Sequence, residues 1–129
     1  MSSCAVRRKR YLKELTLKIV DAKVSLQELK EMAGRNFGNM VKAVIDAEMQ
    51  IMAIDGELHA DEEALLLNNG SRNENLWGIN LYPELGSEEW IEFDSMINLR
   101  PSHNNLTRGV DDPAIRQKII AIINKLVYK

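Results

Sequence analysis

Three groups of side chains in this sequence have the types and spacing to do chemistry. The first is Glu57-Leu58-His59-Ala60-Asp61-Glu62-Glu63. In an extended segment side chains alternate, so Glu57, His59 and Asp61 point the same way. One imidazole and two carboxylates are borderline and hard ligands that suit zinc, manganese or iron(II). Asp94 could add a fourth ligand, and Asp46 and Asp55 others if the strands align. The spacing matches no named metal motif and lacks the i,i+4 histidine pair of the zincins. The competing assignment gives Asp61 to a helix cap and leaves His59 in a loop.

The second group is Arg100, Asn104, Asn105, Thr107 and Arg108, ahead of the last helix. Two guanidinium groups, amide donors and a helix N-terminus can hold a phosphate or carboxylate. Asp111 and Asp112 stand at that helix start and would repel an anion. The competing assignment is a loop pinned by its own side-chain hydrogen bonds.

The third group lies on a sheet face. Over residues 90–100, Ile91, Phe93, Ser95, Ile97 and Leu99 alternate with Trp90, Glu92, Asp94, Met96, Asn98 and Arg100. The preceding strand alternates Trp77, Ile79 and Leu81 with Gly78, Asn80 and Tyr82. The reading is a polar face carrying Asn80, Glu92, Asp94, Asn98 and Arg100. Asp and Asn are poor strand formers, so their place within a strand calls for a reason beyond solvation.

These groups need elements to position them. Residues 17–20 read as a short strand. Ser25 opens a helix, with Glu28 at the capping-box spacing and Val24 and Leu29 at the staple positions. Residues 40–46 and 51–55 form a hairpin. Asp61 caps a second helix carried by residues 64–67 and closed by Asn69-Gly70. Residues 76–82 and 90–100 form a second hairpin, each strand stopped by a proline, with 83–89 as its loop. Asp112-Pro113 starts the last helix, whose wide stripe of Ile115, Ile119, Ile122 and Leu126, flanked by Ile120, Ile123 and Val127, should cover a sheet face. The order β-α-ββ-α-ββ-α predicts an α+β, two-layer sandwich, with a mainly antiparallel sheet of about five strands and helices on one face. The other face would then be wet or covered by a second copy. Residues 1–16 read as a basic N-terminal arm and 17–129 as a single domain.

Composition sets the outer bounds. At 129 residues, with 45% hydrophobic and 28% charged, the chain is globular in type, neither collagen-like nor a low-complexity disordered chain. Its longest aliphatic run, residues 119–123, is far short of the ~20 residues of a membrane span. The single cysteine, Cys4, excludes an internal disulfide framework. No apolar h-region follows Arg7-Arg8-Lys9-Arg10, which predicts a cytoplasmic protein without a secretory signal. Asn69-Gly70-Ser71 and Asn105-Leu106-Thr107 match the glycosylation pattern, which such a chain would not use. The net charge of −2 is a cancellation. Residues 1–45 hold ten basic and four acidic residues, 46–94 one basic and thirteen acidic, and 95–129 six basic and two acidic. A central block of net −12 argues against nucleic acid as a partner.

No G-x-S-x-G, P-loop or dinucleotide fingerprint is present, and His59 and His103 are the only histidines. Leu76-Trp77-Gly78-Ile79-Asn80-Leu81-Tyr82-Pro83, the run from Ile91 through Pro101, and Glu57-Leu58-His59-Ala60-Asp61 together resemble a family of small prokaryotic proteins defined as a domain of unknown function. The resemblance covers roughly residues 17–128. It implies a stand-alone cytoplasmic protein and transfers no catalytic residue. The sequence therefore leads to a small α+β binding or interaction protein, with a homodimer among its arrangements. Its alternative is a divalent-metal-dependent hydrolase of phosphoesters, with Glu57, His59, Asp61 and Asp94 as ligands and Arg100 or Arg108 steadying phosphate.

Overall fold

The computed structural model describes residues 17–129; the basic arm expected over 1–16, with Cys4, lies outside the described residues. In chain order the elements are β1 (Lys18–Val20), β2 (Val24–Ser25), α1 (Leu26–Asn36), β3 (Val41–Asp46), β4 (Ile51–Ile54), α2 (His59–Asn68), β5 (Leu76–Leu81), β6 (Ile91–Glu92), α3 (Pro113–Leu126) and β7 (Val127–Tyr128). Strands β1-β4-β3-β5-β6 form one sheet in that order, with antiparallel neighbours throughout. The α+β class, the five antiparallel strands and the broad element order are those the sequence predicts. A second, two-stranded sheet pairs β2 and β7 in parallel, Val24 with Val127 and Ser25 with Tyr128.

Local chemistry sets several element ends. Ser25 Oγ accepts the Glu28 N–H at 3.0 Å and caps α1. Asp112 Oδ1 accepts the Ala114 N–H at 2.9 Å, with Pro113 in the first turn of α3, where its missing N–H costs nothing. The β3–β4 turn is tied by Asp46. Its Oδ1 accepts the N–H groups of Glu48 and Met49 at 2.9 Å each, and its Oδ2 accepts Ser71 Oγ–H at 2.6 Å. Gln50 closes the turn in the left-handed region at φ 58°. Asp46 is thereby committed to the turn rather than to a ligand set.

The core splits across the sheet. On one face Ala43, Ile45, Met52, Ile54, Ile79 and Leu81 pack against Leu29 and Met32 of α1 and Ile119, Ile122, Ile123 and Leu126 of α3. On the other face Val44, Ala53 and Leu76 pack against Leu66 of α2, with Ile19, Ile51 and Ile97 at the margin. The layering thus departs from helices on one face: α1 and α3 lie on one side and α2 on the other. The reason is in the central strands, which are apolar on both faces and need cover twice. A second copy is not required to cover the α2 face.

A further correction concerns residues 90–100. Only Ile91–Glu92 pairs as a strand, with Leu81 and Asn80. Ser95 then caps a 3₁₀ turn, Met96–Asn98, its Oγ accepting the Ile97 N–H at 3.3 Å. Asn98 turns its carboxamide onto the sheet in place of backbone. Local side-chain hydrogen bonding has outcompeted the ladder, as Ser and Asn tend to do.

Candidate functional site

The acidic-histidine segment does not run extended. α2 begins at His59, with Leu58 as its uncapped N-terminal residue, so the alternation of Glu57, His59 and Asp61 is replaced by helical phase. His59 is buried, whereas Glu57 and Asp61 are exposed. His59 Nε2 lies 2.7 Å from the Ile79 carbonyl oxygen. A carbonyl only accepts, so Nε2 carries the proton of the neutral ring. Burial holds the imidazole below its ordinary value; the Ile79 carbonyl opposes this, the charge of Lys42 reinforces it, Asp94 opposes it and Arg108 reinforces it. Asp94 Oδ1 receives the Arg108 guanidinium at 2.8 Å. Among the described residues no group of three or more His, Cys, Asp or Glu side chains could hold a metal ion. Glu57, His59, Asp61 and Asp94 are accordingly not gathered as a ligand set.

Sequence reasoning missed Glu62, which it named within the acidic segment but gave no role in a site. Its side chain is fully buried. Oε2 accepts the Gly56 N–H at 3.0 Å, while Oε1 is buried without a hydrogen-bond partner. Burial pushes its carboxyl well above the ordinary value; the Gly56 N–H and Lys42 oppose that, and Asp55 and Asp61 add to it. A Cβ on Gly56 would lie 2.8 Å from Glu62 Cγ, so the two residues fit only because position 56 is bare. No pattern within Asp61-Glu62-Glu63 distinguishes the buried member; its helical phase against the sheet decides it.

The residues expected to bind an anion are largely spent on the fold. Arg100 donates to the Asn73 carbonyl at 2.6 Å and to the Leu76 carbonyl, and its guanidinium stacks 4.4 Å from the Trp77 ring centre. Asn105 is buried, and its Nδ2 reaches the carbonyls of Asn98, Gly109 and Thr107 at 2.7, 2.8 and 3.1 Å. Its Oδ1 accepts the Asp111 N–H at 2.9 Å. Arg108 is paired to Asp94. The loop-pinning alternative describes these contacts, with Asn104 in the left-handed region at φ 62° turning the chain.

On the expected polar face, Asn80 and Glu92 are cross-strand partners, and Asn80 Nδ2 donates to Glu92 Oε1 at 2.8 Å. Tyr82 O–H also donates to Glu92, at 3.1 Å. Asn80 Oδ1 is buried without a partner. Asn98 is buried and bonded to Gly78, away from solvent. The face is thus a set of internal polar contacts beside α2 with Glu92 at its open margin.

A concave feature lies on the opposite side of the sheet, at its β6 edge. A cavity of about 550 Å³ opens between α1, α3 and the connection after β5. Trp90, Ile91 and Phe93 line it from the sheet edge. Leu26 and Lys30 come from α1, Ile120 and Asn124 from α3, and Val127 and Lys129 from the C-terminal segment. Pro83, Glu84 and Leu85 complete the lining. The alternation places Ile91 and Phe93 on the helix side, but not Trp90, which it assigns to the polar side. The path of 83–89 brings Trp90 into the cavity wall, and local sequence does not encode that path.

A small α+β domain, a five-stranded antiparallel sheet flanked by helices on both faces and an apolar groove at one edge define the class. The family model described as "Protein of unknown function (DUF5674)" matches residues 18–126, and the chain belongs to that family. Comparison with curated proteins and with solved structures finds no match. No helix among the described residues is long and apolar enough to cross a membrane.

Proposed function

We propose that this protein binds a small apolar molecule in the groove at the β6 edge. The carrying observation is the cavity itself. Its 550 Å³ falls within the roughly 300–1,000 Å³ typical of small-molecule sites. Aromatic and aliphatic side chains supply its walls, and Lys30, Glu84 and Asn124 supply a few polar groups, the usual division between affinity and orientation. The hydrolase alternative has no comparable support, because His59 and Asp94 are engaged with Ile79 and Arg108.

A cytoplasmic location belongs to the same proposal. Asn105 heads one of the two glycosylation patterns, and its amide nitrogen holds three carbonyls inside the loop. A glycan on that nitrogen would prevent the loop from forming, which favours a compartment without the glycosylation machinery.

The test uses tryptophan emission. Trp90 lines the groove and Trp77 is buried beneath Arg100. Titration with 1-anilinonaphthalene-8-sulfonate should quench Trp90 with saturation, and Trp90→Phe should remove that signal. Ile120→Trp, which fills the groove, should abolish binding while the protein stays folded. A folded protein that takes up no apolar probe at millimolar concentration would overturn the proposal.

A further inference from the structure

We propose that the ligand of this groove is an amphiphile with a single anionic end, such as a carboxylate. Lys30 receives the anion, and Glu84 stands in for it when the groove is empty. This deepens the reading of the groove as a binding site and rests on it.

Lys30 sits within α1, an 11-residue helix that presents Leu29 and Met32 to the core. Its ammonium lies 3.9 Å from Oε2 of Glu84, and both residues line the cavity. That is beyond hydrogen-bond distance, so the pair is Coulombic contact without a donor–acceptor bond. The two partners are unequally placed. The Lys30 side chain is 33% exposed and fixed to a helix, whereas that of Glu84 is 69% exposed on a turn. A half-buried cation beside apolar walls calls for a counter-charge. The one provided is loosely held on the solvent side and yields readily to a better-placed anion.

The rest of the lining agrees in sign. Lys129 also borders the cavity, so its lining includes two lysines and one glutamate. An anionic end gains from the Lys30 ammonium, and a cationic end would be repelled by it. Asn124 adds a neutral amide side chain to the lining residues. The apolar chain of the ligand would lie along Trp90, Ile91, Phe93 and Ile120, where water is displaced from aromatic and branched surfaces.

Octanoate, octanol and octylammonium share one apolar chain and differ only in the charge of the head. Their binding to the full chain is followed by Trp90 emission. Octanoate should bind about tenfold more tightly than octanol, a difference that one well-placed ion pair can supply, with octylammonium weakest. Lys30→Gln should remove the octanoate advantage and leave octanol unchanged. Glu84→Gln should strengthen octanoate binding by about threefold, since the competing carboxylate is gone. Equal binding of octanoate and octanol, or preference for octylammonium, would overturn the anion assignment while leaving the groove intact. Failure of all three to bind would overturn the groove reading itself. Circular dichroism of each variant separates lost recognition from lost folding.

Discussion

The carboxamide of Asn98 is the hydrogen-bonding partner of Gly78. Oδ1 accepts the Gly78 N–H at 2.8 Å, and Nδ2 donates to the Gly78 carbonyl at 2.9 Å. A side chain thus does for β5 what the backbone of a neighbouring strand would do. The same Nδ2 also donates to the Arg108 carbonyl at 2.9 Å. Asn98→Ala leaves these groups buried and unpaired, and should lower unfolding free energy by about 2–4 kcal/mol, since each orphaned buried group costs roughly 1–3 kcal/mol. Urea denaturation measures it; a loss under 1 kcal/mol would show that water replaces the amide.

The other half of this arrangement is the bare α-carbon of Gly78. A Cβ there would lie 2.5 Å from Ser95 Cβ and 2.6 Å from Ser95 Oγ. Gly78→Ala should therefore destabilise by about 1–3 kcal/mol through overpacking. Pairing it with Ser95→Gly should recover part of that loss. Chemical denaturation of the two single variants and the double variant measures this as a coupling energy.

Asn105 should be as intolerant as Asn98. Asn105→Asp keeps the oxygen that accepts from Asp111 and removes the donor to three carbonyls. It should cost about 3 kcal/mol, in the range of a buried hydrogen-bond network. Amide hydrogen exchange should show the loss of protection confined at first to residues 98–111. Unchanged exchange there would contradict the role assigned to this amide.

Glu62 makes stability fall as pH rises. Its folded carboxyl holds its proton above the ordinary value because of burial, so between the two values the native state binds more protons than the unfolded state. Its contribution is complete below about pH 4.3, the ordinary Glu value, and is lost progressively up to the raised folded value. Glu62→Gln should remove this alkaline decline. Denaturation midpoints at pH 4, 6 and 8 check it: equal slopes in wild type and variant would refute the buried acid.

His59 acts in the opposite sense. Its folded imidazole titrates below the ordinary value because of burial, so the unfolded state binds the proton first. The His59 contribution is complete above about pH 6.5, the ordinary His value, and falls as acid is added toward the lowered folded value. Titration of the ring by NMR should show Nε2 protonated in the neutral form and a midpoint below the ordinary His value of about 6.5. A midpoint at or above that ordinary value would contradict the buried placement.

What could be read from the sequence was what local chemistry decides. Ser25 with Glu28, and Asp112 with Pro113, announce helix starts because a cap needs only its own turn. The alternation of 76–81 likewise suffices to give Ile79 and Leu81 a common face. The residues 93–100 were harder, because alternation persists there while Ser95 and Asn98 bend the chain into a turn. Covering of the second sheet face was hidden because Val44 and Ala53 make their strands apolar on both sides. Glu62 and the groove were the least accessible. One depends on the rotation of α2 about its axis, the other on where residues 83–89 carry Trp90, and both are settled only by packing between distant segments.

The parallel pairing of β2 with β7 has a mechanical consequence. Val24 is joined to Val127, and Ser25 to Tyr128, with α1 through α3 lying between them in the chain. Tension applied from the N-terminal side of β2 and the C-terminal side of β7 pulls these parallel segments along their lengths. The bonds of the short ladder then bear the load together in shear, instead of peeling open one by one as a hairpin would. Leu26 and Val127, at the two sides of that ladder, also line the cavity. A molecule seated between them would brace the clamp, and the force needed to pull the domain apart should rise with its occupancy.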